Sequence, residues 1–403
     1  MDKKYLMKIV QELSANIPKF YIASFFEALW FPLPVWILFF LANGLNLEQI
    51  GILIGVLFLT QFIFEIPSSI WADKHSRKRI LIIGALFSFF SLLIFFLGNS
   101  FLSFLLAVFF TGLANSFRSG TDSALVYDTL LNLNRERDYN KIQSNINGIY
   151  FLGRAVVAVI GPLAYIADRK LPFLLAAISS LIAISILFLI KEPEYHKSSG
   201  AHLGQIKEGL KFLSSNERIW LAVLVFSLMS AASDVLFTNY QPVLNLVGLP
   251  VVYFTIVYLG VNIASFIGSM SYAGLAEKLS FNKILAFYLL VAFAVSLAFA
   301  SGNLFLILPF ILLLSFSFGS HNAYITSLIN KIAPSSHRAT TISIQSLINM
   351  IMLAILIVSV GKIATDYSIF WGMVFNAAIT SVALIGFLFV KFNTSIKNGF
   401  EKT

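Results

Sequence analysis

Long apolar runs separated by short polar stretches dominate this chain. Twelve such runs can be marked, at 18–42, 46–70, 79–98, 101–126, 144–167, 171–191, 219–243, 249–274, 281–301, 303–329, 340–361 and 367–391. A helix needs roughly 20 consecutive apolar residues to cross bilayer hydrocarbon, and every run is close to that length. Strands of a membrane barrel are only ~10 residues long and alternate in polarity, whereas LLIFFLGNSFLSFLLAVFF is apolar on every face. Backbone polar groups inside hydrocarbon must be bonded within the segment, so helices are the remaining spanning element. The pattern predicts an all-α membrane protein with twelve transmembrane helices.

Composition agrees: 58% of the residues are hydrophobic, 41 are phenylalanine, and the mean hydropathy is +0.85. The net charge of +9 changes the picture through its placement. With both termini set inside, 23 of the 28 Lys and Arg fall in the N-terminus, the even-to-odd loops or the C-terminal tail. Arg169, Lys170 and Lys362 lie outside, and Arg118 and Arg154 lie within spans. This is the positive-inside asymmetry, so the basic excess reports topology and attraction to anionic inner-leaflet lipid, and no nucleic-acid partner is expected. MDKKYLMKIVQELSANIPKF predicts a short amphipathic cytoplasmic helix ended by Pro18. The run after it is too long for a signal-peptide core and lacks a small-residue cleavage site, so it is expected to stay as the first span. Without cysteine there are no disulfides and no Cys-ligated metal sites.

The spans group into two halves: residues 1–190, a linker at 191–218, and residues 219–403 with a short cytoplasmic tail. In the linker, Ile206, Leu210 and Leu213 stand at helical spacing and predict an interfacial helix. Sliding the halves over one another aligns IWADKHSRKRIL, from Ile70, with GLAEKLSFNKIL, from Gly274, at an offset of 204 with five identities in twelve. SFRSGTDSA, from Ser116, aligns with SFSFGSHNA, from Ser315, at an offset of 199, which pairs the fourth span with the tenth. Parallel repeats of six helices are a transporter architecture.

The densest charge in the chain is in EIPSSIWADKHSRKRILIIG, between spans two and three. Ala72, Asp73, Lys74, Arg77 and Lys78 match the pattern G-x-L-A-D-[RK]-x-G-R-[RK], while Ser69, Trp71 and Ser76 replace its two glycines and its leucine. The stretch resembles the loop signature of the major facilitator superfamily, and a faded second copy lies at Ala276 to Lys278. The resemblance covers essentially the whole chain. It implies two pseudo-symmetric six-helix bundles, cytoplasmic termini, a monomer, and a place in a bacterial cytoplasmic membrane. It also implies that the loop latches the halves together in an outward-open state, with Asp73, Arg77 and Lys78 on one side and Asp128, at the cytoplasmic end of span four, as the acidic partner. The plainer reading of the same residues is a topology anchor.

A charge at mid-bilayer costs at least ~2.5 to 3.5 kcal/mol on insertion scales, so polar residues inside spans are candidates for function. They are Glu27 in span one, Arg118 and Asp122 in span four, Arg154 in span five, Asp234 in span seven, and His321 with Asn322 in span ten. In the superfamily, spans one, four, seven and ten line the central cavity, and nearly all of these residues fall on them. Arg118 and Asp122 are i and i+4, on one face of one helix. They, or Arg154 with Glu27, could equally be static pairs that orient helices, and Glu65 could be the partner of Arg118. Glu27 and Asp234 are the candidates for a coupling proton, because a carboxyl in low dielectric holds a proton more readily; Asp234 ranks slightly ahead, and Glu27 is the better contact for a cationic substrate. Gly153 and Gly161-Pro162 in span five resemble a superfamily element associated with antiporters, although Tyr165 occupies one of its glycine positions. The expected activity is proton-coupled export of a small organic solute. Alternatives are proton-linked import of a sugar or other polar solute, for which Asn239, Tyr240 and Gln241 would serve, and a non-transporting receptor or scaffold. No H-E-x-x-H, G-x-S-x-G or P-loop pattern is present, so neither an enzyme nor a cofactor is expected.

Overall fold

The computed structural model describes residues 3–194, 211, 215, 217–332 and 338–389. The predicted interfacial helix around Ile206, Leu210 and Leu213 lies outside the described residues. The N-terminal half runs α1 (Lys3–Ser14), α2 (Asn16–Ala28), α3 (Trp36–Ala42), α4 (Leu47–Lys74), α5 (Arg77–Leu97), α6 (Phe101–Arg118), α7 (Thr121–Asn132), α8 (Tyr139–Ala167) and α9 (Leu171–Leu189). The second half runs α10 (Glu217–Leu246), α11 (Phe254–Lys278), α12 (Phe281–Ala300), α13 (Leu304–Ile332), α14 (Arg338–Asp366) and α15 (Ile369–Phe389). Every predicted run is occupied by helix, and 11 helical segments among the described residues are long and apolar enough to cross a membrane. The repeat is visible in the boundaries: α11 ends and α12 begins 204 residues after α4 ends and α5 begins.

Two predicted spans are interrupted, and both interruptions have local causes. The first span was expected to be continuous over 18–42; instead α2 stops at Ala28 and α3 starts at Trp36. Between them stands Trp30-Phe31-Pro32-Leu33-Pro34. Two prolines lack donors and push the residues before them out of helical geometry, so the chain turns through Leu33 N–H to Trp30 O and Val35 N–H to Pro32 O at 3.1 and 2.9 Å. The fourth span breaks at Ser119 and Gly120, where Gly120 adopts φ +69°, a left-handed conformation that residues with a Cβ enter only at a cost. A smaller correction concerns α1, which ends at Ser14 rather than Pro18. Pro18 sits in the first turn of α2, where its missing N–H breaks no intrahelical bond.

Contacts divide the described residues into two compact units: one holds 3–45, 56–194 and 251–256, and the other holds 46–55, 211–250 and 257–389. In the first, Phe39, Phe40, Phe95, Phe104 and Phe173 pack ring against ring at centroid separations of 4.4 to 6.1 Å. In the second, Phe226, Leu285, Tyr288, Leu289, Tyr324 and Phe387 form the corresponding core. Lipid tails are as apolar as these side chains, so such cores hold through close packing and interhelical hydrogen bonds rather than removal from water. One such bond network centres on the fully buried Asn376, whose Nδ2 donates to Ala232 O at 3.2 Å and Ser296 Oγ at 3.0 Å, joining α15 to α10 and α12.

Candidate functional site

The interruptions place charge at helix ends. Glu27 lies in the last turn of α2, Arg118 closes α6, and Asp122 is in the first turn of α7. A cation at a helix C-terminus and an anion at an N-terminus each complement the helix dipole, so Arg118 and Asp122 stabilise the two sides of the Gly120 break. Arg118 Nη2 lies 2.8 Å from Glu27 Oε2, and its Nε lies 3.6 Å from Asp122 Oδ2. Arg118 and Asp122 were expected on one continuous helix; they meet instead across a turn, which the left-handed Gly120 closes. Asp122 Oδ1 also accepts the Ser123 N–H at 2.6 Å, and the nearby Glu65 Oε1 accepts the Ser119 hydroxyl at 2.6 Å.

Arg154, considered as a neighbour of Glu27, donates instead to the Tyr150 hydroxyl at 2.6 Å, with its guanidinium 5.0 Å from the ring centre. The Arg118 guanidinium stands 6.0 Å from the same ring, so Tyr150 is flanked by two cations within cation–π range. Sequence reasoning missed Tyr150; its placement four residues before Arg154 on α8, one turn away, was the available signal. Two cavities of about 80 Å³ each share Glu27 and Arg118 as a common wall. The first is also lined by Trp30, Ser88, Asn115 and Ser180, and the second by Asp122, Gln143, Asn147 and Tyr150. Gln143 Oε1 is buried without a hydrogen-bond partner among the described residues.

In the second unit the span residues Asp234 and His321 have neutral partners. Asp234 Oδ2 accepts from Asn349 Nδ2 at 3.4 Å. His321, buried in α13, has its Nε2 2.9 Å from Ser230 Oγ and is ringed by Phe226, Tyr288 and Phe318. The side chain of Asn322 lies outside the described residues. Asn239, Tyr240 and Gln241 are buried, and Asn239 Nδ2 donates to Val235 O of its own helix at 2.9 Å.

At the end of the first unit where α4 meets α5, Arg77 Nη1 lies 2.6 Å from Asp128 Oδ2 and donates to Ala124 O at 3.0 Å. The side chain of Asp73 lies outside the described residues. Lys78 turns away from Asp128, its Nζ donating to Phe188 O at 2.7 Å. Glu192, which sequence reasoning passed over, accepts the Ser76 hydroxyl and, at 3.5 Å, the Lys78 N–H.

The family profile described as Major Facilitator Superfamily matches residues 20–357. The chain belongs to the Major Facilitator Superfamily. It is accordingly a multi-pass membrane protein. It is 25% identical over 223 residues to the uncharacterized MFS-type transporter YxaM of Bacillus subtilis, an alignment covering 53% of this chain and 55% of that protein. It is 25% identical over 202 residues to multidrug resistance protein 1 of Bacillus subtilis, covering 49% and 51%. The chain thus spans about half the length of the curated relatives it matches. Among solved structures, the nucleoside transporter NupG superposes with a TM-score of 0.77 at 13% identity, covering 94% of this chain and 99% of that one. A bacterial homologue of the human lysosomal transporter Spinster gives 0.74 at 13% identity over 100% and 99%. At such identities these likenesses speak for the superfamily fold alone.

Proposed function

We propose that this member of the superfamily is a secondary active transporter that exports small amphipathic organic solutes, cationic ones in particular, in exchange for protons. The observation that carries the reading is the Glu27–Arg118–Asp122 cluster at three broken helix ends, walling two cavities. In a half-desolvated site an uncompensated charge is costly, so the carboxylates favour states in which each is matched by a cation. Arg118 is the resident cation. An organic cation that enters must displace Arg118 from Glu27, and a proton reaching either carboxyl weakens its hold on Arg118. Substrate and proton therefore compete for the same carboxylates, which is the logic of antiport. Trp30 and Tyr150 offer flat apolar faces beside the acids, and Gln143 Oε1 offers an acceptor. In α8, Gly153 approaches Phe25 O and Ala28, and Gly161 approaches Phe31 O so closely that a Cβ at either would collide, so the two glycines let α8 lie against the first span beside the cluster.

Asp234 is the second carboxyl offered for a coupling proton, with Asn349 as a neutral partner. In the same reading both termini are cytoplasmic, the protein works as a monomer in a bacterial cytoplasmic membrane, and the Arg77–Asp128 pair belongs to the cytoplasmic gate. The test is flux in proteoliposomes carrying an imposed pH gradient, against a panel of amphipathic cations, zwitterions and sugars. Gradient-driven movement of a cation opposite to protons, lost in Glu27→Gln, is the expected result. Transport of a neutral sugar with the proton gradient, unaffected by Glu27→Gln and Asp122→Asn, would overturn it.

A further inference from the structure

Four residues leaving α9, Lys191 to Glu194, are tied to three separate helices. Asn16 of α2 makes a reciprocal pair with Lys191, Nδ2 donating to Lys191 O at 2.8 Å and Oδ1 accepting the Lys191 N–H at 2.9 Å. Asn132, the last residue of α7, does the same with Glu194 at 2.7 and 3.2 Å. Between these anchors Pro193 is buried, its φ fixed by its ring. Glu192 faces the first turn of α5, accepting from the hydroxyl of the N-cap Ser76 and from the Lys78 N–H, while Ser76 Oγ accepts from Arg79 N–H at 3.1 Å. A carboxylate at a helix N-terminus is favoured both by the dipole and by the otherwise unsatisfied N–H groups.

The strap brackets both members of the Arg77–Asp128 pair. Arg77 lies between Ser76 and Lys78, the two residues that Glu192 holds. Asp128 lies one turn before Asn132, whose Nδ2 donates to Asp128 O at 2.9 Å as well as to Glu194 O. We propose that the strap 191–194 is a working part of the cytoplasmic gate, in which Glu192 is a positioning residue that sets the first turn of α5 so that the Arg77 guanidinium reaches Asp128. The inference rests on reading the pair as a gate.

The absence of cysteine in the chain allows spin labels at Arg137→Cys and Lys283→Cys, two exposed positions, with distance distributions recorded in lipid nanodiscs without substrate. Glu192→Gln should shift the ratio of the two distance populations about tenfold, equivalent to about 1.4 kcal/mol. Asn132→Ala should shift it in the same direction, and Glu192→Asp should restore part of it. Because Glu192 acts through Arg77, Glu192→Gln combined with Arg77→Gln should shift the ratio no further than Arg77→Gln alone. If Glu192→Gln lowers the melting temperature but leaves the ratio at the parent value while Arg77→Gln moves it, the strap is only a tie and the inference is overturned. If Arg77→Gln itself leaves the ratio unchanged, the gate reading fails and the strap's role fails with it.

Discussion

Gly120 makes a sharp claim about how the site is built. Its φ of +69° lies in the left-handed region, and a Cβ placed there would meet nothing within 4 Å. Replacing it with alanine therefore adds no collision, and the whole effect is conformational, about 1–2 kcal/mol for an L residue in that well. Gly148, inside α8, is the control: a Cβ there also meets nothing within 4 Å, but its φ is not positive. There alanine should stabilise by about 0.5–1 kcal/mol, the usual gain over glycine in a helix interior. The two substitutions have the same chemistry and the same empty surroundings, so their opposite signs isolate the backbone. Thermal melts of purified protein in detergent, ranked against the parent, read the difference; Gly120→Asn should fall between parent and Gly120→Ala, because asparagine enters the left-handed region more easily than alanine. Equal melting shifts for Gly120→Ala and Gly148→Ala would refute the reasoning, and with it the claim that the Arg118–Asp122 contact depends on a glycine turn.

Arg118→Gln leaves Glu27 without its cation and should cost up to the ~3–5 kcal/mol of a broken buried pair, because the stranded Glu27 side chain is only 19% exposed. Glu27→Gln with Arg118→Gln should be more stable than Arg118→Gln alone, yet should not regain transport; additive melting shifts would rule out the pairing. Asn376→Leu removes the bonds to Ala232 and Ser296 and should cost about 1 kcal/mol, the scale of interhelical hydrogen bonds in membranes, read by the same melts. Ser100 and Ser103 form a capping box at the start of α6, so Ser100→Ala should cost ~1 kcal/mol and speed amide exchange in that first turn; unchanged exchange there would contradict the cap.

Hydropathy made the spans legible because lipid imposes length and apolarity on every one of them. The interruptions were harder to see. Leu29 to Val35 reads as apolar throughout, and only Pro32 and Pro34 disclose that the helix cannot run through it; Ser119-Gly120 is a weaker signal still, since glycine inside a span often serves packing. Resemblance and charge together picked out Arg77 and Asp128, and the pair is formed. Glu27, Arg118 and Asp122 were visible as costly charges, but their grouping required the breaks, which set the directions of the side chains. Tyr150 and Glu192 escaped for a different reason: an isolated tyrosine in a membrane helix, and a glutamate in a proline-containing stretch after one, have many ordinary explanations. Only proximity to two guanidiniums in one case, and to a helix N-terminus in the other, gives them meaning.

The halves share a repeat, but its matched stretches at 116–124 and 315–323 handle polar groups in opposite ways, and the difference follows from the breaks. An interrupted helix in hydrocarbon exposes backbone donors and acceptors that must be satisfied, and a buried charge needs compensation. Placing Arg118 at the end of α6 and Asp122 at the start of α7 meets both demands, since each side chain faces the helix-end charge opposite to its own. The equivalent stretch in the second half, around Ser315 to Ala323, stays within the unbroken α13. No helix end is presented there, Ser317 stands where Arg118 would be, and His321 takes the place of Asp122 with a serine as its partner. In these two equivalent stretches, continuous helix goes with a neutral hydrogen bond and broken helix with compensated charge. A single substitution at Arg118 disturbs both the ion pair and the end of α6, whereas one at His321 disturbs a side-chain contact and leaves the backbone ladder of α13 intact.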